Sequence, residues 1–223
     1  MHKIIEPAIL YFGTPVVLIS TQNEDYTANL APISSAFWLG WRCVLGIAAS
    51  SKTYRNLMRT KECVINLPSA AEVAAVDRLA LTTGANPIPE RKLDRGYRYE
   101  PDKFAVAGLT QAPSEVVAPP RVKECPIQLE GVVEGTHEVA KNTDDLRGFV
   151  VCFETRILRV HADGMLLVSG EANRVDPDKW RPLIMSFQKF YGLGPELHTS
   201  TLATIPEGAY YTSDIDRARA VRS

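Results

Sequence analysis

Two long stretches of alternating β-type residues constrain the fold of this chain more than any other feature. The first spans residues 127–138 and the second spans residues 148–161. Shorter runs of the same type lie in the first third of the chain, at residues 16–20, 27–30, 43–49 and 62–67. Helical periodicity is scarce by comparison. The pattern therefore predicts a mainly β fold, an antiparallel Greek-key barrel of about six or seven strands with peripheral helices.

Two local patterns predict elements around this barrel. Ser69 is followed three places later by Glu72, which forms a capping box, and an apolar stripe at helical spacing comes next. A helix is therefore expected over residues 69–81. Asp163-Gly164 is a turn dipeptide, so residues 165–168 are expected to pair back as a hairpin strand.

Length and composition limit the classes of protein that this chain can belong to. It has 223 residues, 45% of them apolar and 23% charged, which is ordinary for a globular protein. We expect one domain over residues 1–223. The 25 basic and 26 acidic residues nearly balance, so no nucleic-acid partner is indicated. The longest apolar opening, residues 8–20, is too short to span a bilayer, so no membrane association is expected.

The cysteines and the absent motifs exclude several kinds of chemistry. Cys43, Cys63, Cys125 and Cys152 are far apart and form no C-x-x-C pair or Cys/His cluster. Neither a zinc site nor a redox dithiol is predicted, and free thiols without a leader-type cleavage pattern indicate a cytoplasmic protein. The signatures of zinc proteases, serine hydrolases, P-loop proteins and Rossmann enzymes are missing. The sequence therefore assigns no catalytic side chain and no metal ligand.

The composition of the chain changes after the predicted helix. Seven of the 15 prolines lie between about residue 82 and residue 126, together with Tyr97, Tyr99 and Phe104. This segment, called here the Pro-rich excursion, is too apolar for disorder, so we expect it to pack on the barrel and to carry binding loops. The aromatic segment from about residue 175 to residue 223 is predicted to form a C-terminal arm.

A hydroxyl-rich turn, Ser50-Ser51-Lys52-Thr53, lies between a predicted strand and a helix predicted over residues 54–60. A helix N-terminus offers free N–H groups and the positive end of the helix dipole, which favour an anion. The hydroxyls and the lysine add donors, so the turn can cradle a phosphate. An ordinary capped helix start is the alternative interpretation of the same residues.

Four short motifs occur in a fixed order along the chain. They are Asn29-Leu-Ala-Pro-Ile-Ser-Ser35, Ser51-Lys-Thr-x-x-Asn-Leu57, Glu62-Cys-Val-Ile-Asn-Leu-Pro68 and Glu124-Cys-Pro-Ile-Gln-Leu-Glu130. Together they resemble the flavin reductase-like and flavoredoxin family of FMN-binding split barrels, over about residues 8–165. The resemblance implies an FMN-binding split β-barrel, a homodimer and a flavin-based redox role.

The resemblance also implies where FMN lies. Backbone groups of residues 29–35 would hydrogen-bond the pyrimidine edge of the isoalloxazine, and residues 50–53 would hold the phosphate. The C-terminal arm would cover the partner subunit or the flavin edge. FAD is the alternative flavin, and NAD(P)H would be a transient co-substrate. The implied cofactor-binding residues are Asn29, Leu30, Ala31, Pro32, Ser34, Ser35, Ala49, Ser50, Ser51, Lys52, Thr53 and Asn56.

The activity that the resemblance implies is an NAD(P)H-dependent flavin reductase serving a partner oxygenase or another electron acceptor. Two alternatives stay open: a flavoredoxin-like FMN electron carrier that does not oxidise NAD(P)H directly, and a small-molecule-binding barrel without flavin. Many reductases of the family have Gly-Asp-His before the second long strand, where this chain has Leu146-Arg147-Gly148-Phe149. Arg147 is therefore either a contact for the nucleotide donor or a loop arginine in solvent.

Overall fold

The computed structural model describes residues 1–221, which contain short and long β-strands and five α-helices. The strands are β1 (Phe12–Pro15), β2 (Val17–Gln22), β3 (Ala28–Ile33), β4 (Ala36–Leu39), β5 (Arg42–Ala48), β6 (Glu62–Leu67), β7 (Thr82–Thr83), β8 (Arg98–Tyr99), β9 (Gln111–Ala112), β10 (Arg121–Val122), β11 (Ile127–Glu138), β12 (Val150–Ala162), β13 (Ile184–Ser186) and β14 (Lys189–Tyr191). The α-helices are α1 (Lys52–Thr60), α2 (Val73–Arg78), α3 (Glu90–Leu93), α4 (Lys103–Ala107) and α5 (Ser213–Ala220). Single 3₁₀ turns occupy Ala70–Glu72, Gly164–Leu166, Thr201–Thr204 and Glu207–Tyr210.

Seven strands form one antiparallel sheet in the order β3-β2-β6-β11-β12-β5-β4. The long strands β11 and β12 pair from Ile127 opposite Ala162 to Glu138 opposite Val151, with two register shifts between. The predicted mainly β fold with peripheral helices is thus confirmed. Strands β3 and β4 are the two edges of the sheet, and no pairing between them closes it within the described residues.

Both faces of the sheet are covered at β2, which explains why this strand is buried along nearly all of its length. Val17 and Ile19 point to a first core that is shared with β5, β6, β11 and β12. Val16, just before β2, and Leu18 point to a second core, which contains apolar residues of α2 and α4. Successive side chains of a strand point to opposite faces, so one continuous apolar run serves two cores.

The helix predicted over residues 69–81 begins as expected but is shorter. Ser69 Oγ accepts from the N–H of Ala71 at 3.1 Å, and Glu72 Oε2 accepts from the N–H of Ser69 at 2.7 Å. A 3₁₀ turn leads into α2, and Leu81 adopts a φ of 53°, outside helical geometry. The predicted hairpin after Asp163-Gly164 is wrong, because Asp163 Oδ1 accepts from the N–H of Met165 and caps a 3₁₀ turn there.

The Pro-rich excursion packs on the sheet through short elements. The carboxylate of Glu130, on β11, accepts from the N–H groups of Glu115 and Val116 at 2.7–3.1 Å. Burial alone would raise the pKa of Glu130, but these N–H groups, followed by His161, hold that pKa below its usual value. A buried carboxylate that accepts hydrogen bonds from the excursion backbone therefore fixes the middle of the excursion to the sheet.

The C-terminal segment folds back on the same chain. Strands β13 and β14 extend β1 into a small sheet, and α5 lies against β12. Arg42 of β5 donates from Nε to Asp214 of α5 at 2.8 Å, and Arg42 also pairs with Glu134 and Glu154. No helix among residues 1–221 is long and apolar enough to cross a bilayer.

Candidate functional site

The turn between β5 and α1 presents a polar surface, as its sequence predicts. Ser51 has extended backbone geometry, and its Oγ accepts from the N–H of Tyr54 at 3.0 Å, which makes Ser51 the N-cap of α1. The N–H of Ala49 donates to the carbonyl of Phe149 at 2.9 Å. The N–H groups of Lys52 and Thr53 find no acceptor among the described residues. The positive end of α1 is therefore free to bind an anion.

A buried amide network joins this turn to the edge strand β3. Asn29 Nδ2 donates to Thr53 Oγ1 and to Thr21 Oγ1, both at 3.1 Å. Asn56 Nδ2 donates to Thr21 Oγ1 at 3.1 Å and to Asn23 Oδ1 at 2.9 Å. The side-chain oxygens of Asn29 and Asn56 are buried and have no hydrogen-bond partner among residues 1–221. Leaving a buried acceptor without a partner costs about 1–3 kcal/mol and is uncommon in folded proteins, so these two oxygens need a structural explanation.

A cavity of about 240 Å³ opens between β3, the start of α1 and the Pro-rich excursion. The sheet side contributes Asn29, Ala31, Pro32, Ile33, Ile47 and Ala48, the helix side contributes Ser51, Lys52 and Thr53, and residues between 79 and 103 supply the third wall. That wall approaches closely at Gly84, where an added Cβ would lie 2.7 Å from Asn29 Oδ1 and 3.3 Å from Lys52 Cβ. Gly84 therefore lets the excursion close the cavity.

Four cationic side chains line this cavity, namely Lys52, Lys92, Arg95 and Lys103. Lys52 pairs with Glu24, and this contact holds the pKa of the Glu24 carboxyl below its usual value. Lys92 Nζ donates to Thr83 Oγ1 at 3.2 Å, and burial, followed by the charge of Arg55, lowers the pKa of Lys92.

Lys103 is the most informative of these cations. Its side chain belongs to α4, whose other residues are mostly apolar, and the residue is only 4% exposed. Burial, followed by the charge of Lys92, lowers the pKa of Lys103 to about 8. No hydrogen bond or ion pair satisfies its ammonium within residues 1–221. Lys103 and the N-terminus of α1 line the same cavity, so an anion bound there would stabilise the charged form of this largely buried lysine.

The predicted site residues divide into three groups. Asn29, Ala31, Pro32, Ser51, Lys52 and Thr53 line the cavity together. Four predicted residues do not line it. Leu30 packs into the second core, and Asn56 donates a hydrogen bond to Thr21. The other two, Ala49 and Ser50, form the turn before α1. Ser34 and Ser35 join β3 to β4, where Ser35 Oγ lies 3.3 Å from Tyr11 Oη and the Ser35 carbonyl accepts from Gly46 N–H at 2.8 Å.

Sequence reasoning expected the Pro-rich excursion to carry binding loops but assigned none of its residues to the site. Thr82, Thr83, Gly84, Lys92, Arg95, Tyr97 and Lys103 all line the cavity. No local signal marks Lys103, which begins a short apolar helix capped by Asp102, because lysine is almost never buried without a partner. The other residues of this wall contact the sheet only through tertiary packing, so no local sequence pattern predicts their position.

Arg147 lies in the loop before β12 and contacts other residues of that loop. Its guanidinium donates to the carbonyl of Lys141 at 2.8 Å and to Asp144 Oδ1 at 2.7 Å, and 55% of its side chain is exposed. Arg147 therefore binds its own loop in solvent. The adjacent Phe149 contacts the excursion instead, with the guanidinium carbon of Arg91 3.9 Å from the centre of its ring.

The thiols offer no nucleophile near the cavity. All four cysteines are unpaired, and Cys43, Cys63 and Cys125 are buried. Burial raises the pKa of Cys43 and of Cys63 to about 12, and it also raises that of Cys125. These three groups stay protonated at neutral pH and act as small apolar side chains.

Comparison with known proteins identifies relatives of this chain. A family model described as "flavin reductase like domain" matches residues 9–194. The uncharacterized protein YdfE of Bacillus subtilis (strain 168) is 38% identical over 195 residues, which cover 87% of this chain and 91% of that protein.

Two solved structures show the same fold at lower identity. Flavoredoxin of Desulfovibrio vulgaris (Miyazaki F) superposes with a TM-score of 0.72 at 24% identity, covering 91% of this chain and 99% of the other. Nitrilotriacetate monooxygenase component B from Bacillus cereus superposes with a TM-score of 0.68 at 22% identity, covering 86% of this chain and 89% of the other.

Proposed function

This chain belongs to the flavin reductase-like family, and we propose that it binds FMN non-covalently and acts as a flavin reductase-type oxidoreductase with NAD(P)H as electron donor. One observation carries the proposal of FMN: the free N-terminus of α1 and four cationic side chains face one cavity. The family membership supports a flavin-related redox activity.

The residues around the cavity fit the phosphate end of FMN. A phosphate monoester carries a charge of about −1.5 to −2 and three acceptor oxygens at neutral pH. The N–H groups of Lys52 and Thr53 lack acceptors within residues 1–221, and the ammonium of Lys103 lacks a counter-ion there. A bound phosphate would satisfy all of these donors, and charge-assisted contacts of this kind are the strong ones.

The ring of FMN would continue from the cavity along β3. This strand is an edge of the sheet, so part of its backbone N–H and C=O groups face away from β2 and are free for a ligand. The small residues Ala31 and Ala48 on the cavity wall leave room for a flat molecule. Backbone recognition of this kind needs few charged side chains, which suits the composition of residues 29–35.

When bound, FMN supplies the hydride and electron chemistry, so the chain need only hold, orient and shield it. In this assignment Lys52, Lys92 and Lys103 neutralise the phosphate and the Asn29–Thr53 hydrogen bond fixes the strand against the helix. The proposed site consists of the sequence-predicted residues that line the cavity, with the excursion residues added.

The electron-carrier function is the second candidate. The observation that favours it is the place of Arg147, which binds its own loop where many family members carry a histidine near the donor. A carrier would hold the same FMN in the same cavity but would accept electrons from a protein instead of from NAD(P)H. A barrel that binds a small molecule other than flavin is the third alternative.

We further propose a cytoplasmic homodimer that passes electrons to a partner oxygenase or another acceptor. Phe37 and Leu39 on the edge strand β4 are more than half exposed, and such apolar residues on a sheet edge suit a subunit interface. A component of a monooxygenase, by its name, is among the proteins with the same fold.

The proposed activity is tested by mixing the FMN-loaded protein anaerobically with NADPH or NADH and recording the visible flavin absorbance. Loss of the absorbance within seconds supports the reductase. A protein that stays yellow with both nucleotides, yet is bleached by a reduced protein donor, is a carrier. A purified protein that takes up no flavin before the mixing leaves only the third alternative.

A further inference from the structure

A turn that carries two carboxylates lies beside the start of α1. Residues 23–27 join β2 to β3 and include Glu24 and Asp25; this segment is called here the acidic turn. Glu24 forms an ion pair with Lys52, the first residue of α1. Hydrogen bonds from Thr27 lower the pKa of Asp25, and the charge of Lys52 adds to this effect. A lysine that lines the candidate phosphate cavity is therefore already paired with a carboxylate of the same chain.

The acidic turn is held against α1 by two side chains of that helix. Asn56 Nδ2 donates to Asn23 Oδ1 at 2.9 Å. Arg59, on the last turn of α1, donates to the carbonyl of Gln22, the last residue of β2. The position of the carboxylates near the start of α1 is therefore built into the fold, and the contact with the lysine is not a chance meeting of two surface side chains.

The ion pair directs the ammonium of Lys52 toward the acidic turn. The stem of Lys52 lies on the cavity wall, because its Cβ and Cγ would both be 3.3 Å from a Cβ added to Gly84. Glu24 does not line the cavity that the described residues form. Only 19% of the Lys52 side chain is exposed, compared with 57% of the Glu24 side chain. The lysine therefore contacts the cavity through its stem, while its ammonium is neutralised at the turn.

Glu24 has a second cation nearby. The hydrogen bond from Lys52 is the largest cause of the lowered pKa of the Glu24 carboxyl, and the charge of Arg59 contributes to the same shift. Arg59 makes no ion pair of its own within the described part of the chain. The Glu24 carboxylate can therefore lose its contact with Lys52 and still lie near a positive charge.

We propose that Glu24 competes with the flavin phosphate for Lys52, so that the acidic turn weakens FMN binding and keeps the flavin exchangeable. The proposal rests on the proposed function, because the phosphate must bind at the start of α1. When the phosphate enters, the ammonium of Lys52 turns from Glu24 to the phosphate. The ion pair is lost, and the carboxylates of the turn then repel the phosphate beside them. The flavin is thus a substrate that the protein releases, and Glu24 is a positioning residue that acts through Lys52.

The opposite arrangement is a bridge. An ammonium group carries several N–H donors, so one could stay on Glu24 while another binds the phosphate. In a bridge, Glu24 would hold Lys52 in its binding position, and removal of the carboxylate would weaken FMN binding. The direction in which the FMN affinity changes therefore separates competition from a bridge.

The test measures dissociation constants and release rates of FMN and riboflavin by flavin fluorescence. It compares the wild-type protein with Glu24→Gln, Lys52→Met and the double variant that carries both changes. Glutamine keeps the size of the glutamate side chain and removes its charge. Glu196→Gln is the matched control, since Glu196 is exposed, makes no ion pair among residues 1–221 and does not line the cavity. The melting temperature of each variant checks that it folds.

Competition predicts that Glu24→Gln binds FMN about fivefold more tightly than the wild type, mainly through slower release, and binds riboflavin as the wild type does. The gain should be smaller in the Lys52→Met background, because the contact through which Glu24 acts is then missing. A general charge effect would instead give the same gain in that background or in Glu196→Gln.

The possible failures separate the two proposals. Weaker or unchanged FMN binding by Glu24→Gln overturns the competition while FMN binding stands. An equal gain for riboflavin, for the Lys52→Met background or for Glu196→Gln overturns it as well. A wild-type protein that binds FMN no more tightly than riboflavin overturns the proposed phosphate site, and the role of Glu24 with it.

Discussion

Asn29 Nδ2 donates a hydrogen bond to Thr53 Oγ1 at 3.1 Å, and both side chains are buried. Asn29 begins the segment that the sequence assigns to the flavin ring, and Thr53 ends the segment assigned to the phosphate. The contact therefore fixes the two halves of the candidate site in one geometry. Under the proposed function, removing this hydrogen bond should lower both the stability of the fold and the affinity for FMN.

The first prediction concerns this hydrogen bond. Thr53→Val keeps the shape of the side chain but removes the acceptor, so the free energy of unfolding should fall by about 1–2 kcal/mol. FMN affinity should fall as well, since Thr53 also lines the cavity. Urea denaturation and FMN titration measure the two effects. Thr136→Val, on an exposed position of β11, is the control and should change neither quantity. Unaltered stability in Thr53→Val would show that the bond contributes little.

The second prediction concerns Lys103, whose ammonium is proposed to bind the ligand phosphate and whose burial disfavours its charged form in the ligand-free protein. Lys103→Met should raise the melting temperature of the ligand-free protein, by about 2–4 °C for each kcal/mol regained. The same change should weaken FMN about tenfold to a hundredfold and leave riboflavin unaffected. Lys189→Met, on the exposed strand β14, is the control. A Lys103→Met variant that is destabilised and binds FMN normally would contradict the assignment of Lys103 to the phosphate site.

The third prediction is a pH dependence that follows from the pKa of Lys103, lowered to about 8 by burial and then by Lys92. The phosphate prefers the protonated ammonium, so the dissociation constant of FMN should be flat near neutrality and rise as the pH passes 8. One proton gives a slope of about one logarithmic unit per pH unit. Riboflavin should show no such rise, and Lys103→Met should abolish it. An FMN affinity that stays constant up to about pH 9.5 would contradict the assignment.

The fourth prediction concerns the close approach at Gly84. Gly84→Ala would place a Cβ 2.7 Å from Asn29 Oδ1 and 3.3 Å from Lys52 Cβ, so the excursion must move away from the sheet. We expect a loss of about 1–3 kcal/mol in stability and a weaker FMN complex. Gly194→Ala is the control, since nothing lies within 4 Å of its added Cβ. A stable variant with normal FMN affinity would mean that the wall tolerates displacement.

The sequence predicted most of the sheet because strand signals are local. Strands β6 and β11 have the predicted bounds, and the capping box at Ser69 is formed. The hairpin after Asp163 was wrong, since the Asp163 side chain bonds to the backbone of Met165 and favours a 3₁₀ turn over a strand reversal.

The candidate site was predicted in part for the same reason. The barrel side lies in compact motifs, and the residues of these motifs that line the cavity are Asn29, Ala31, Pro32, Ser51, Lys52 and Thr53. The excursion side, with Lys92 and Lys103, approaches only after the chain folds back through many residues without periodicity. The unpaired state of Lys103 is a property of its tertiary surroundings, and a sequence does not display it.

The comparison of FMN with riboflavin on the purified wild-type protein tests the central claim most directly. The two ligands differ by the phosphate alone, so their affinity ratio measures the cavity at α1. We expect FMN to bind at least about a hundredfold more tightly than riboflavin, equivalent to about 2.7 kcal/mol from the charged contacts. Equal affinities, or the absence of binding by both ligands, would contradict the assignment of this cavity to a flavin phosphate.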